Sequence, residues 1–283
     1  MNSDMTSKQP EHETDGSEKR LLPHISPPGM RPIVQRQFGD NAEKYVSSEE
    51  HSHGEDLQLA VKWLRPTSED SALDVATGGG HMAKAIARHV KSLIVSDGTP
   101  DMLEAARHHL QDAGVQNAHY LVANAEALPL LDESFDIVTC RIAAHHFLRP
   151  DRFVAEVARV LRPNGRFLLV DNVVPDDEIL ADFMNLVETV RDPSHVQCLS
   201  IERWKSLFAA NELKLAADRL AKKIHPFSSW LERMAPSNAH RFATTAMLLE
   251  APEEVKTHFE IIVQNGGIQT FATDQWVALS VKE

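Results

Sequence analysis

Cysteine is nearly absent from this chain of 283 residues: Cys140 and Cys198 are its two thiols, too few for a disulfide framework or a tetrahedral thiolate site. Both are expected to be reduced. Long apolar runs are missing as well. No stretch approaches the ~18 consecutive apolar residues that a membrane span requires, and the polar, acid-containing N-terminus lacks the apolar centre of a signal peptide. A cytoplasmic location without a membrane span is therefore expected. Positive charge is in the minority, with 29 Lys and Arg against 41 Asp and Glu and a net charge of −12. Nucleic-acid binding rests on clustered cations that neutralise phosphates, and no basic stripe is found. Glycine is scarce too, yet three of its 12 residues stand side by side at positions 78–80.

With 42% hydrophobic residues, the chain can bury the core of one elaborated domain, or at most two. Residues 1–30 are rich in Ser, Glu, Asp, Lys, His and Pro and read as a flexible tail. Pro23, Pro27, Pro28 and Pro32 argue against an early helix. Residues 31–70 read as an N-terminal helical cap, with Leu57, Val61 and Leu64 on one face. Residues 71–174 alternate strand and helix: strands over Ala72–Val75, Ser92–Ser96, Ala118–Val122, Asp136–Cys140 and Phe167–Val170, and helices over His81–Val90, Pro100–Ala113 and Asp151–Leu161. That alternation predicts an α/β fold with a parallel sheet wrapped by helices. Residues 175–283 add helices at Ile179–Val190 and Ile201–Ala210, a strand at Lys214–Ile224, a helical insertion from Ser229 to about Val263, and a last strand around Gln275–Val281. They read as the remaining sheet plus a helical substrate cap.

The run Ser71-Ala-Leu-Asp-Val-Ala-Thr-Gly-Gly-Gly-His81 is the strongest local signal. An apolar strand carries an acid, opens into glycines and enters a helix, a turn in which missing Cβ atoms let the backbone approach a ligand. Gly78, Gly80 and Ala83 fit a variant dinucleotide fingerprint, and Asp97 closes a second apolar run 19 residues after Gly78, close to the offset at which an acid meets a ribose diol. Asp74 separates the alternatives. A carboxylate repels a diphosphate and attracts an ammonium or sulfonium, so S-adenosyl-L-methionine is the favoured cofactor. A nicotinamide-dependent dehydrogenase and a non-catalytic cofactor-binding module remain as rivals.

The segment from about Phe38 to Asp171 resembles the class I S-adenosylmethionine-dependent methyltransferases. Within them it is similar to the small-molecule group related to the ubiquinone/menaquinone-biosynthesis C-methyltransferases. The matching stretches are Leu73-Asp-Val-Ala-Thr-Gly-Gly-Gly80, Asp97-Gly-Thr-Pro-Asp-Met-Leu103, Ala123-Asn-Ala-Glu-Ala-Leu-Pro129, Ser134-Phe-Asp-Ile-Val138 and Val160-Leu-Arg-Pro-Asn-Gly-Arg-Phe-Leu-Leu-Val-Asp171. Ala76 departs from the family's first glycine, and Asn124 from its usual Asp. The resemblance implies a Rossmann-like sheet of seven mostly parallel strands, the last antiparallel, with helices on both faces and helical cap insertions.

Candidate site residues follow from both readings. Asp74 would hold the methionine ammonium, directly or through water, with Ala76, Gly78 and Gly80 forming the turn against it. Asp97, followed by Gly98, would take the ribose hydroxyls or cap the next helix. Met102 would lie on the adenine or in the core. Asn124 and Ala125 would grip the adenine edge, or Asn124 would stabilise a turn. Asp136 would tie neighbouring loops. The backbone at Arg141 would accept from the ammonium, and His145 or His146 would serve as a base, unless alignment of the reactants alone suffices. On the acceptor side, Arg191 and His195 would fix a polar group or pair with one another. Tyr45 and His51 would line the closing segment, and Trp230 would touch an apolar acceptor or pack in the core. No metal is expected, because His51-x-His53 and His108-His109 have no matching Cys or carboxylate frame and the helical pair should face water. Two thiols also disfavour arsenite methylation. The acceptor is expected to be a small, partly apolar molecule, and a homodimer is left open.

Overall fold

A computed structural model describes residues 31–39 and 54–283; the expected tail and the positions Tyr45, His51 and His53 lie outside them. The chain begins with α1 (Pro32–Gly39) and α2 (Glu55–Leu64). It then alternates through β1 (Ser71–Val75), α3 (His81–Ala87), β2 (Ser92–Asp97), α4 (Pro100–Asp112), β3 (Ala118–Val122), β4 (Phe135–Arg141), a 3₁₀ turn at Ala144–His146, α5 (Pro150–Val160) and β5 (Leu161–Val173). The second half holds α6 (Glu178–Arg191), α7 (Ile201–Ala209), β6 (Leu213–Pro226), α8 (Phe227–Met234), α9 (Asn238–Leu249), α10 (Glu253–His258), β7 (Ile262–Gln264) and β8 (Gly267–Lys282).

The strands form one sheet in the order β3-β2-β1-β4-β5-β8-β6, with β7 paired to β8. Pairs among β1 to β5 are parallel, whereas β8 runs antiparallel between β5 and β6. Strand order reverses between β1 and β4. At such a switch point the connections leave in opposite directions and open a crevice at the carboxyl ends of the strands.

Both faces of the sheet are buried, which explains why β1 and β4 read as near-continuous apolar runs. One face packs Phe153, Val157, Phe167, Phe208 and Trp276 beneath α5 and α7. The other packs Ala60, Leu64, Ile86, Leu93, Leu110 and Val170 beneath α2, α3 and α4. A third cluster, with Met184, Val187, Trp230, Leu231, Leu248 and Phe271, holds the late helices to the N-terminal half of β8. Asp136 performs the expected tying role: its Oδ2 accepts from the Ser71 N–H at 2.8 Å and the Arg162 guanidinium at 2.6 Å.

Three details differ from the sequence reading. Pro32 opens a helix rather than preventing one, because proline at the first helical position has no N–H to satisfy and a φ suited to the turn. The inserted helices end before Ile262, where β7 starts a hairpin. Its turn is Asn265-Gly266, both residues at positive φ, 51° and 75°, the pattern that a tight hairpin favours. This hairpin supplies an eighth strand and extends β8 far ahead of Gln275. Finally, His108 faces solvent but His109 turns inward and meets the His81 ring edge-on, with centroids 4.9 Å apart.

Candidate active site

The crevice at the switch point is a cleft of about 1090 Å³, its solvent-open mouth included. Its floor is the turn after β1. Ala76, Gly78 and Gly80 all take positive φ, at 51°, 56° and 80°. Gly80 has no alternative, since a Cβ there would stand 2.6 Å from Leu110 Cδ1 and 3.2 Å from Ala106 Cβ. Ala76 adopts the same left-handed region with a side chain present, at a cost of about 1 kcal/mol. Ile142, just beyond β4, also sits at φ 53°. A β-branched residue in that region is a true outlier, and these two strained residues follow the paired strands β1 and β4 and both line the cleft.

Two carboxylates line this floor. Asp74 is 1% exposed; its Oδ2 accepts from the Thr77 hydroxyl at 2.6 Å and its Oδ1 from the Thr139 hydroxyl at 2.6 Å. Burial pushes its pKa up to about 6 despite these bonds and the nearby Arg141 charge. Asp97 lies at the end of β2, where its Oδ2 accepts from Gly78 N–H at 3.0 Å and its Oδ1 from Thr99 N–H at 2.8 Å. Burial likewise raises it to about 6. The Thr99 hydroxyl and the Gly98 N–H are further donors to this carboxylate.

Gly98, Met102, Asn124 and Ala125 form an adjoining wall. Asn124 Oδ1 accepts from the Glu126 N–H at 3.0 Å, an Asx turn that fixes the amide at the cleft edge. Met102 is both core and wall: it is 2% exposed and lines the cleft. The α1 helix closes the opposite side. Gln35 donates to the Gly98 carbonyl at 2.9 Å, Gln37 to the Met234 carbonyl at 2.6 Å, and Arg31 to the Ser194 carbonyl at 3.1 Å.

The third wall follows β4. The Arg141 guanidinium is buried against Asp56 of α2, with Nε to Oδ2 at 2.5 Å and Nη2 to Oδ1 at 3.2 Å. Beyond it the adjacent histidines diverge. His145 turns away from the cleft wall and binds Asp171 twice, through its N–H to Oδ2 at 2.9 Å and through Nδ1 to Oδ1 at 2.6 Å. Burial opposes its charge, but the Asp171 carboxylate outweighs burial and raises its pKa. His146 lines the cleft. Burial and the neighbouring His145 hold its pKa well below the usual imidazole value, so it is neutral at pH 7.

A methyltransferase domain profile matches residues 73–169 of the chain. The uncharacterized methyltransferase YcgJ of Bacillus subtilis is 38% identical over 230 residues, covering 81% of this chain and 91% of that protein. Its crystal structure aligns with a TM-score of 0.79 at 36% identity, over 82% of this chain and 99% of the other. The chain belongs to the class I S-adenosylmethionine-dependent methyltransferases. The ubiquinone/menaquinone biosynthesis C-methyltransferase UbiE of Rickettsia typhi is 34% identical over 142 residues, spanning 48% of this chain and 57% of that protein. A likeness in fold alone extends to a Haemonchus contortus phosphoethanolamine N-methyltransferase 2, with a TM-score of 0.58 at 15% identity over 89% of this chain and 61% of the other. That enzyme's structure contains phosphomonomethylethanolamine and S-adenosylhomocysteine.

In this methyltransferase one cleft unites Asp74, Ala76, Gly78, Asp97, Gly98, Met102, Asn124, Ala125, Arg141 and His146, while Gly80 supports it from below through its contact with α4. Arg191, His195 and Trp230 are not on the cleft wall. Arg191 binds Glu188 at 2.6 Å, donates to the Trp230 carbonyl at 3.1 Å and lies 4.2 Å over the Trp230 ring. His195 Nε2 meets Asn185 Oδ1 at 3.1 Å. Arg191 and His195 are thus each held by other residues rather than by one another. Among the described residues, no group of three or more His, Cys, Asp or Glu is placed to hold a metal ion, and no helix is long and apolar enough to cross a membrane. Sequence reading missed Asp56, Thr139, Arg31 and the bond from Asp171 to His145. Asp171 ends a recognisable strand motif, but Asp56 and Arg31 lie in segments with no distinctive local pattern.

Proposed function

We propose that this methyltransferase binds S-adenosyl-L-methionine in the cleft and methylates a small, partly apolar acceptor. The observation that carries this reading is the pair Asp74 and Asp97, two buried carboxylates on the cleft floor, both raised to about 6. Their oxygens suit a ligand that brings an ammonium and ribose hydroxyls. A diphosphate would meet two like charges instead. The positive-φ turn at Gly78 and Gly80 fits a close backbone approach by that ligand.

Bound S-adenosyl-L-methionine supplies a methyl carbon made electrophilic by the adjoining sulfonium, and it leaves as the thioether. The chain's own groups then have separable tasks. Asp97, which lines the cleft, would hold the ribose, and Asn124, Ala125 and Met102 would flank the base. Val34, Phe38, Ile142, Ala143, Phe147 and Leu148 give the remaining wall an apolar character, which suits an acceptor with a hydrocarbon body and excludes water around it. The neutral His146 receives the proton released by the acceptor's O–H, N–H or acidic C–H. A net charge of −12 speaks against a polyanionic acceptor.

Calorimetry with the product S-adenosylhomocysteine tests the reading. Binding is expected for the native chain, with a loss of about tenfold or more for Asp97→Ala, the effect of removing a hydrogen bond to a charged group. Gly78→Val should weaken binding as well. Tight NADH uptake together with no heat from S-adenosylhomocysteine would overturn it.

A further inference from the structure

We propose that Asp192 and Ser194, in the turn that follows α6, are positioning residues that fix the tautomer of His146 and leave Nε2 as its basic nitrogen. The inference rests on the functional reading above, because it assigns the partners of that base. Neither residue lines the cleft. Ser194 is 0% exposed and Asp192 2%, so both act through the imidazole rather than on a ligand.

The hydrogen bonds leave a single consistent arrangement. Asp192 Oδ1 accepts both from the Ser194 hydroxyl at 2.6 Å and from the Ser194 N–H at 2.8 Å. The one hydroxyl proton is thereby committed, so toward His146 the Ser194 oxygen can only accept. His146 Nδ1 lies 3.3 Å from that oxygen and 3.1 Å from the Ser194 carbonyl. Two acceptors on one ring nitrogen require that it carry the proton. A neutral imidazole with Nδ1–H has its lone pair on Nε2, and the partner of one nitrogen thereby decides the chemistry of the other. A proton arriving from an acceptor molecule ends on Nε2, and the Nδ1–H bonds persist in the imidazolium so formed.

The turn is itself held on several sides. Arg31 donates to the Ser194 carbonyl at 3.1 Å, and the N–H groups of Val196 and Gln197 donate to the His145 carbonyl at 3.0 and 3.1 Å. Among the described residues, the charged and titratable groups around His146 include His145, with ring centroids 4.2 Å apart, His195 at 6.3 Å, Arg191, Arg31 and Asp192 itself. The Phe38 ring meets the imidazole edge-on at 4.9 Å. The two adjacent histidines divide the work: Asp171 binds His145 into the scaffold, while the Asp192–Ser194 pair orients His146, which burial and the neighbouring His145 keep neutral.

Long-range proton–nitrogen spectra of the full chain, with the His146 signals assigned through His146→Gln, read the tautomer directly and need no acceptor. The native spectrum at pH 7 should show a protonated Nδ1 and a bare Nε2. In Asp192→Ala the Ser194 hydroxyl loses its acceptor and can donate to Nδ1 in competition with the Ser194 carbonyl, so the Nδ1–H population should fall and the two nitrogen resonances should move toward one another. Asp192→Asn keeps an acceptor oxygen and should restore the native pattern. A native Nε2–H tautomer, a doubly protonated ring at pH 7, or an Asp192→Ala spectrum equal to the native one would overturn the proposal. Calorimetry with S-adenosylhomocysteine on the same three proteins shows that the cleft is folded, and loss of that heat in the native chain would overturn the functional reading instead.

Discussion

Binding of S-adenosylhomocysteine should release protons near pH 6 and none at pH 8. In the ligand-free cleft both Asp74 and Asp97 sit at about 6, raised by burial from 3.8. A shift of that size corresponds to roughly 3 kcal/mol per group as an upper bound. Its sign is unfavourable to the ionised cleft: a raised carboxyl favours the folded chain fully below 3.8, and that contribution is lost as the pH climbs through about 6. A ligand that brings an ammonium and hydroxyl donors favours the ionised forms and returns both groups to ordinary acidity. At pH 6 each carboxyl is about half protonated before binding, so about one proton should leave in total. Affinity should rise about tenfold per carboxyl between pH 5 and pH 8, where the protonated fraction falls from about nine-tenths to near zero. Calorimetry in buffers of differing ionisation enthalpy measures the proton count, and Asp97→Asn should remove about half of it. Proton uptake at pH 6, or affinity that is flat from pH 5 to pH 8, would refute this electrostatic account of the cleft.

Gly80→Ala should lower stability by about 2 kcal/mol or more, the left-handed cost plus a clash with Leu110, whereas Gly114→Ala, also at positive φ but with nothing within 4 Å of the added Cβ, should cost only about 1 kcal/mol; denaturant unfolding compares them. Asp56→Ala leaves the Arg141 guanidinium buried without its carboxylate and should cost about 3 to 5 kcal/mol, more than the double change Asp56→Ala with Arg141→Leu; thermal unfolding of the three variants decides. The raised pKa of His145 means that its pairing with Asp171 stabilises fully below 6.5 and fades as the pH rises through the elevated value. His145→Gln should therefore flatten the alkaline fall in melting temperature while lowering stability at pH 6. Both cysteines are buried and their thiols are pushed well up, first by burial, so an aromatic disulfide reagent should label neither in the native state and both in denaturant.

The strand ends and the glycine turn were legible in the sequence because each is a local pattern: an apolar run, an acid at its carboxyl end, and a loop whose residues must adopt positive φ. That is why Asp74, Gly78, Asp97, Asn124 and His146 are assignable to one edge from the sequence. Asp56 and Arg141 are 85 residues apart and Asp74 and Thr139 are 65 apart. Such pairings leave no trace in periodicity, since either partner alone is an ordinary polar residue on a helix or strand. Arg191 and Trp230 show the converse. A charged and an aromatic residue in a cap read as ligand contacts, yet the cation stacks on the ring and both are consumed by packing. The Asn265-Gly266 hairpin was readable from its dipeptide, but the apolar residues before it fit helix and strand equally at that length.

A single eight-residue helix, α1, bonds to Gly98 beside the nucleotide wall, to Met234 in the cap, and sets Phe38 against His146. On the proposed reading, donor entering or leaving past this side would have to displace those contacts. Sealing the chamber against bulk solvent and emptying it after each cycle are thus opposing demands on one short piece of chain. A variant with weaker latching, such as Gln35→Ala with Gln37→Ala, would exchange its contents faster at the expense of a wetter reaction.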